Sequence, residues 1–193
     1  MNFARTQKAV FELDKPLPAE YFSEGLRPTV TVLLREPSAE ILLVLPALAV
    51  SNSSAFMFPQ GPILRHMTPK EAMTQLLQTE CGYDSDIVNF AEAKALGICS
   101  VGSETGQAIK MHFIIFASLK RFRKPTLSEV NRKWLYARGP NNLWSKIYQC
   151  RPEKKRLIIT SVFKAVDDGL LYSQRWNKDR FTDIRGFGAT TFA

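Results

Sequence analysis

The sequence predicts an α+β fold in which a mixed β-sheet is sandwiched between helices, and three observations carry it. Two β-branched and aliphatic runs, residues 29–35 and 40–45, flank the turn signal Glu36-Pro37-Ser38-Ala39. A capped amphipathic helix then starts after Thr68. Further on come the dense apolar run of residues 108–119 and a second helical pattern over residues 151–171. The order is hairpin, short strand, helix, strands, helix, which suits one sheet covered on both faces.

Taken in order, residues 1–25 form a loosely organised arm, because Pro16 and Pro18 break any helix there. Residues 29–45 are the hairpin, and Ser51-Asn52-Ser53-Ser54 is a polar loop. Residues 55–58 are a short apolar strand that Pro59-Gln60-Gly61-Pro62 brings to an end. In the helix that follows, Thr68 is the N-cap, Pro69 the first helical residue and Glu71 the partner in a capping box. Ala72, Met73, Leu76 and Leu77 share one face, and Gly82 supplies the left-handed C-cap. Residues 95–101 and 108–119 are strands around a Gly102-Ser103-Glu104-Thr105-Gly106 turn, and the second strand has the apolar density of a central one. Residues 128–136 form a short strand or turn near Trp134. Residues 151–171 form the last helix, with Gly169 marking its end. The basic stretch from Tyr172 is expected to be mobile in part.

Composition narrows the function classes. At 193 residues, 45% hydrophobic and 23% charged, the chain can bury a core, so disorder throughout is not expected. The longest apolar run, residues 41–50, contains Pro46 and is too short to span a bilayer. No apolar segment near the N-terminus resembles a secretory signal, so a cytoplasmic protein without a membrane partner is expected. Cys81, Cys99 and Cys150 fit neither a disulfide framework nor a zinc cluster and read as neutral thiols. Charge is asymmetric: residues 1–109 hold 8 basic and 12 acidic side chains, residues 110–193 hold 18 and 6. A basic C-terminal half attracts nucleic acid or an acidic protein, although a solvated helical face has the same composition.

Residues 58–83, FPQGPILRHMTPKEAMTQLLQTECGY, carry the most specific pattern. They resemble the Nudix box of nucleoside-diphosphate-X hydrolases: Gly, five residues, Glu, seven residues, Arg-Glu, an aliphatic, any, Glu-Glu, any, Gly, and a hydrophobic residue. Gly61, Leu77, Glu80 and Gly82 match, Tyr83 stands at the hydrophobic end, and the spacing is unbroken. The other box positions depart from the pattern: Met67 for the first Glu, Gln75-Leu76 for Arg-Glu, and Thr79 for the first of the paired glutamates. The resemblance implies a Nudix-like α/β/α sandwich over residues 26–171, with the arm before it and a basic tail, residues 172–193, after it.

In that family, carboxylates on one helix hold Mg²⁺ or Mn²⁺ against a pyrophosphate. Magnesium takes oxygen ligands in an octahedral array, polarises the phosphoryl group and lowers the pKa of the attacking water. Here only Glu80 remains, and one carboxylate is a poor magnesium site; it also reads as a solvated or capping group near a helix end. Glu71 stands nine residues away at the helix start and caps it. Glu92, Glu104 and Glu129 are the loop carboxylates open to a relocated site.

Three readings follow. The preferred one is a Nudix-fold module with a degenerate box that binds a nucleotide-like anion, or regulates or interacts, with little or no hydrolysis. Arg65, Arg132 and Trp134 are its candidate ligand contacts, and no catalytic residue is assigned. The second is a metal-dependent pyrophosphohydrolase with relocated ligands, which alone needs Mg²⁺ or Mn²⁺. The third is a nucleic-acid-associated protein, in which Trp134 and Tyr136 stack bases while Arg132, Lys133 and Arg138 neutralise phosphate, with a second such mixture at Arg175, Trp176, Lys178, Arg180 and Arg185. His66 and His112 read as an exposed loop residue and a strand residue. The apolar hairpin serves either as core or as a homodimer interface.

Overall fold

Strands β1 (Leu26–Arg35) and β2 (Ile41–Pro46) form the expected hairpin in the computed structural model, which describes residues 11–47, 55–102, 108–177 and 180. The Ser51-Asn52-Ser53-Ser54 loop, Glu104 and the stretch from residue 181 onward lie outside the described residues. The hairpin turn closes through Ala39 N–H donating to Glu36 O (2.9 Å) and Glu36 N–H donating to Glu40 O (2.9 Å), with Ala39 at φ 68°.

The short strand lies later than the sequence indicates. Within residues 55–58 only Met57 bridges Val44, while β3 is Gln60–Pro62 and pairs antiparallel with β1. Pro59 and Pro62 do not stop it, because Pro59 contributes a carbonyl acceptor to Val32 N–H (2.9 Å) and three residues suffice to fill the gap where β1 and β2 diverge. Helix α1 (Pro69–Cys81) has both halves of the capping box, Glu71 N–H to Thr68 Oγ1 (3.1 Å) and Thr68 N–H to Glu71 Oε2 (2.8 Å). It ends at Gly82 with φ 68°, where a side chain would also meet Thr126.

Strands β4 (Lys94–Gly102), β5 (Ile109–Ser118) and β6 (Asn131–Ala137) complete a sheet of order β4-β5-β1-β2-β6. The β1–β5 pair is parallel and the other pairs are antiparallel, so the sheet is mixed. An eight-residue helix, α2 (Pro140–Ile147), follows β6; the sequence reading assigns nothing there. Its signal is short, Pro140 at the first helical position with Leu143 and Ile147 one turn apart. Helix α3 (Pro152–Asp167) stops short of Leu171 because the chain turns left-handed at Gly169 (φ 69°).

Alternation along the strands divides the core into two layers. Val30, Val32, Leu34, Leu42, Phe113 and Ile115 pack with Met73 and Leu77 of α1. Leu33, Ile41, Leu43, Ile114 and Phe116 pack with Ile158, Val162 and Ala165 of α3. The chain is thus an α+β sandwich with a mixed sheet between helices, and the hairpin belongs to its core. The arm is better organised than expected: Leu17 is buried, and Phe11 and Tyr21 set their ring edges against Phe113 (5.3 and 5.1 Å). The domain also extends beyond residue 171, because Trp176 is fully buried in the α3-side layer. Among the described residues no helix is long and apolar enough to cross a membrane.

His112 is buried on β5, with Nδ1 2.9 Å from Thr31 Oγ1. Burial lowers its pKa from 6.5 to about 4, helped by Lys110 and Lys154. The unfolded chain therefore takes up this proton near pH 6.5, and the folded chain only near pH 4. Stability from this group is intact above pH 6.5 and is lost as the pH falls from 6.5 towards 4, by up to about 3 kcal/mol. Urea unfolding between pH 7.5 and 4.5 checks it: His112→Gln should flatten the profile over this window, and an unchanged slope would remove His112 from the account.

Candidate functional site

A cleft of about 1000 Å³ opens where β1, β5 and β6 begin and β2 and β3 end, beside α1. The local sequence explains its shape. Gly61 lies on β3 against α1, and a Cβ there would stand 3.0 Å from Leu76 Cδ1. Glycine thus lets the strand approach the helix, and Leu76, 6% exposed, fills the space between them. Met67, Gln75 and Thr79 also line the cleft, so all four box departures stand around one opening.

Glu80 is the box carboxylate that remains, and it lines the cleft half-buried. Its Oε2 accepts from Ser128 Oγ (2.5 Å) and from Asn131 Nδ2 (3.0 Å). Thr126 N–H donates to Cys81 O (2.8 Å) beside it. Glu80 thereby ties the end of α1 to the segment that enters β6. Glu92 sits elsewhere, accepting from Ser118 Oγ (3.3 Å), and exposed Glu129 does not line the cleft. Among the described residues no three His, Cys, Asp or Glu side chains come together as a metal site. Magnesium needs several oxygen ligands, and one carboxylate already holding two donors on one oxygen does not fit it.

The cations are arranged differently. Arg65, which the sequence singles out, lines the cleft, lies over the Phe22 ring (5.8 Å) and donates to Phe22 O (3.3 Å). Arg27 and Lys110 line it too, and the sequence reading misses both. They are the second residues of β1 and β5, and the parallel register sets Arg27 directly beside Lys110. No carboxylate among the described residues pairs with either, so like charges stand next to each other in the sheet, which is unfavourable without a counter-anion. Their signal was recoverable only from the parallel pairing, since 83 positions separate them in the chain. The remaining walls are largely apolar, including Phe22, Leu26, Phe58, Ile63 and Val130.

The other sequence candidates fall outside the cleft. Leu77 is fully buried under α1, and Gly82 terminates that helix. Trp134 lies in a separate groove with Lys133, Leu135 and Lys146, and the Arg132 side chain is outside the described residues. His66 is exposed and does not line the cleft. The cysteines are free, and burial pushes the Cys81 thiol up to about 12, with Glu80 adding to the shift.

No family model and no curated protein matches the chain. Solved structures do. A Nudix hydrolase from Nitrosomonas europaea is similar at 12% identity and a TM-score of 0.49, over 80% of this chain and 94% of that one. A Nudix hydrolase from M. smegmatis is similar at 16% identity and a TM-score of 0.45, over 57% and 69%. An Ap4A hydrolase from C. elegans is similar at 13% identity and a TM-score of 0.47, over 57% and 79%. At these values the likenesses carry no argument about this chain. The α/β/α sandwich, with the box-spaced helix beside the cleft, is the Nudix-like arrangement that the sequence resemblance implies.

Proposed function

We propose that this Nudix-fold chain is a binding module for a nucleotide-like anion, with little or no hydrolase activity, and that it serves a regulatory or interaction role. The observation that carries the reading is the balance of charge in the cleft: Arg27, Arg65 and Lys110 line it, against Glu80 as the one carboxylate among the described residues. Phosphate charge is attracted to the cations, and the apolar walls accommodate the rest of the ligand. Leu76 and Met67 stand where the family resemblance puts metal-holding carboxylates, which leaves less negative charge opposing a phosphate. A hydrolase with relocated metal ligands finds no support in the positions of Glu92 and Glu129.

The test pairs a hydrolysis panel with ligand-dependent melting. Nucleotide sugars, ADP-ribose, dinucleoside polyphosphates and nucleoside triphosphates are incubated with the protein in Mg²⁺, Mn²⁺ or EDTA. No metal-dependent product release is expected. At a hundredfold excess of ligand over Kd, a binding member of the panel should raise the melting temperature by roughly 5–10 °C. Replacing Arg65 or Lys110 with Gln should weaken that ligand about tenfold, the loss of one charge-assisted contact. Metal-dependent turnover abolished by Glu80→Gln would sink the proposal; so would a panel that leaves the melting temperature unmoved.

A further inference from the structure

We infer that the β6 edge of the domain is a binding platform for single-stranded nucleic acid, separate from the cleft. Trp134 and Tyr136 lie two residues apart on β6 and so project from the same face of the sheet. Their ring centroids are 5.7 Å apart, and Phe122, from the segment between β5 and β6, continues the row at 5.7 Å from Tyr136. β6 is the last strand in the sheet order, and an open groove of about 600 Å³ runs beside Trp134 between Pro125, Leu127 and Lys146.

The row is fixed in place. Tyr136 Oη is 2.9 Å from Tyr83 Oη, and Tyr83 Oη donates to Arg123 O (2.6 Å). The segment carrying Arg121, Arg123 and Lys124 is therefore pinned beside the rings, with all three side chains exposed. Residues 119–138 hold seven basic side chains and one acidic. Phe122 is 56% exposed, so it packs incompletely for a residue of its size.

Each part has a role in holding a single strand. Every base has a π-face, so a row of rings stacks successive bases without needing a sequence, and flanking cations neutralise the phosphates. Duplex offers its phosphates but not its base faces, so the rings favour an unpaired strand. A rigid row also loses little freedom on binding. An acidic protein would satisfy the cations but would leave the row of rings without a role.

Fluorescence anisotropy of the 193-residue chain with a labelled oligothymidylate of about 12 nucleotides tests the inference, with the matching duplex alongside. Binding is expected at low salt, stronger for the single strand, and weakening steeply as salt rises. Phe122→Ala and Trp134→Ala should each weaken it about fivefold or more, and Trp134→Phe should recover most of the loss. Arg121→Gln with Arg123→Gln should reduce the logarithmic salt slope by about 1.4, or 0.7 for each phosphate contact removed. Circular dichroism shows whether Trp134→Ala is folded; the exposure of Phe122 leaves Phe122→Ala as the variant without that risk. No binding at about 50 mM salt overturns the inference. So does binding that the charge variants weaken and the ring variants do not, because that marks a general polyanion surface.

Discussion

Replacing Trp176 with alanine lowers the stability of the fold by about 3–5 kcal/mol, the cost of emptying a large core site. In a domain of this size that corresponds to a melting temperature lower by roughly 6–20 °C. Trp176 is fully buried, and its indole N–H donates to Ala39 O (2.8 Å). Ala39 is the hairpin residue held at positive φ, so the indole secures the turn as well as filling the α3-side layer. Next to it, the Arg175 guanidinium donates to Ser38 O and, through Nε, to Arg138 O (2.9 Å), and its Nη2 lies 3.3 Å from Glu40. Truncation after Ser173 removes both side chains and should destabilise at least as much. Thermal unfolding of Trp176→Ala beside Tyr172→Ala is the measurement. Tyr172 is 62% exposed, and its removal should be nearly silent. Equal, small effects from the two would mean that the segment after α3 does not hold the domain together.

Trp176 also shows where the sequence stops being informative. Local chemistry is legible: Thr68, Pro69, Glu71 and Gly82 each take the helix-end role that their residue types suit. The near-continuous apolar runs of residues 29–35 and 41–45 likewise give both strands, and their unbroken burial puts both faces of each in the core. Trp176, by contrast, is buried because of an acceptor 137 residues earlier, and nothing in the basic residues around it announces that. The cleft divides in the same way. The box spacing places Gly61, Met67, Leu76, Thr79 and Glu80 around one opening. Arg27 and Lys110 become neighbours only through a parallel pairing of distant strands. Trp134 has the right residue type for ligand contact, yet β6 carries it to the other groove.

Placing carboxylates at the four departing box positions should give the chain a stabilising response to magnesium. The variant carries Met67→Glu, Gln75→Arg, Leu76→Glu and Thr79→Glu. Positions 76, 79 and 80 lie three and four residues apart, so their side chains share a helix face, and residue 67 lines the same cleft. In the absence of metal the variant should be less stable by about 2–3 kcal/mol, because Leu76 is nearly buried against Gly61 and a carboxylate there loses that packing. Magnesium offsets the added negative charge. With [Mg²⁺] about a hundred times its Kd, linkage returns about 2.7 kcal/mol, so most of the lost stability should reappear and EDTA should remove it. The unaltered chain should melt within about a degree of the same temperature in Mg²⁺ or EDTA, since Glu80 alone offers too few ligands. Met67→Glu with Thr79→Glu, which leaves Leu76 in place, keeps the comparison available if the fourfold variant does not fold. An EDTA-reversible rise in the unaltered chain would show that it already holds a metal site. A folded variant indifferent to magnesium would show that the cleft geometry, and not only the missing carboxylates, separates this chain from a metal-dependent hydrolase.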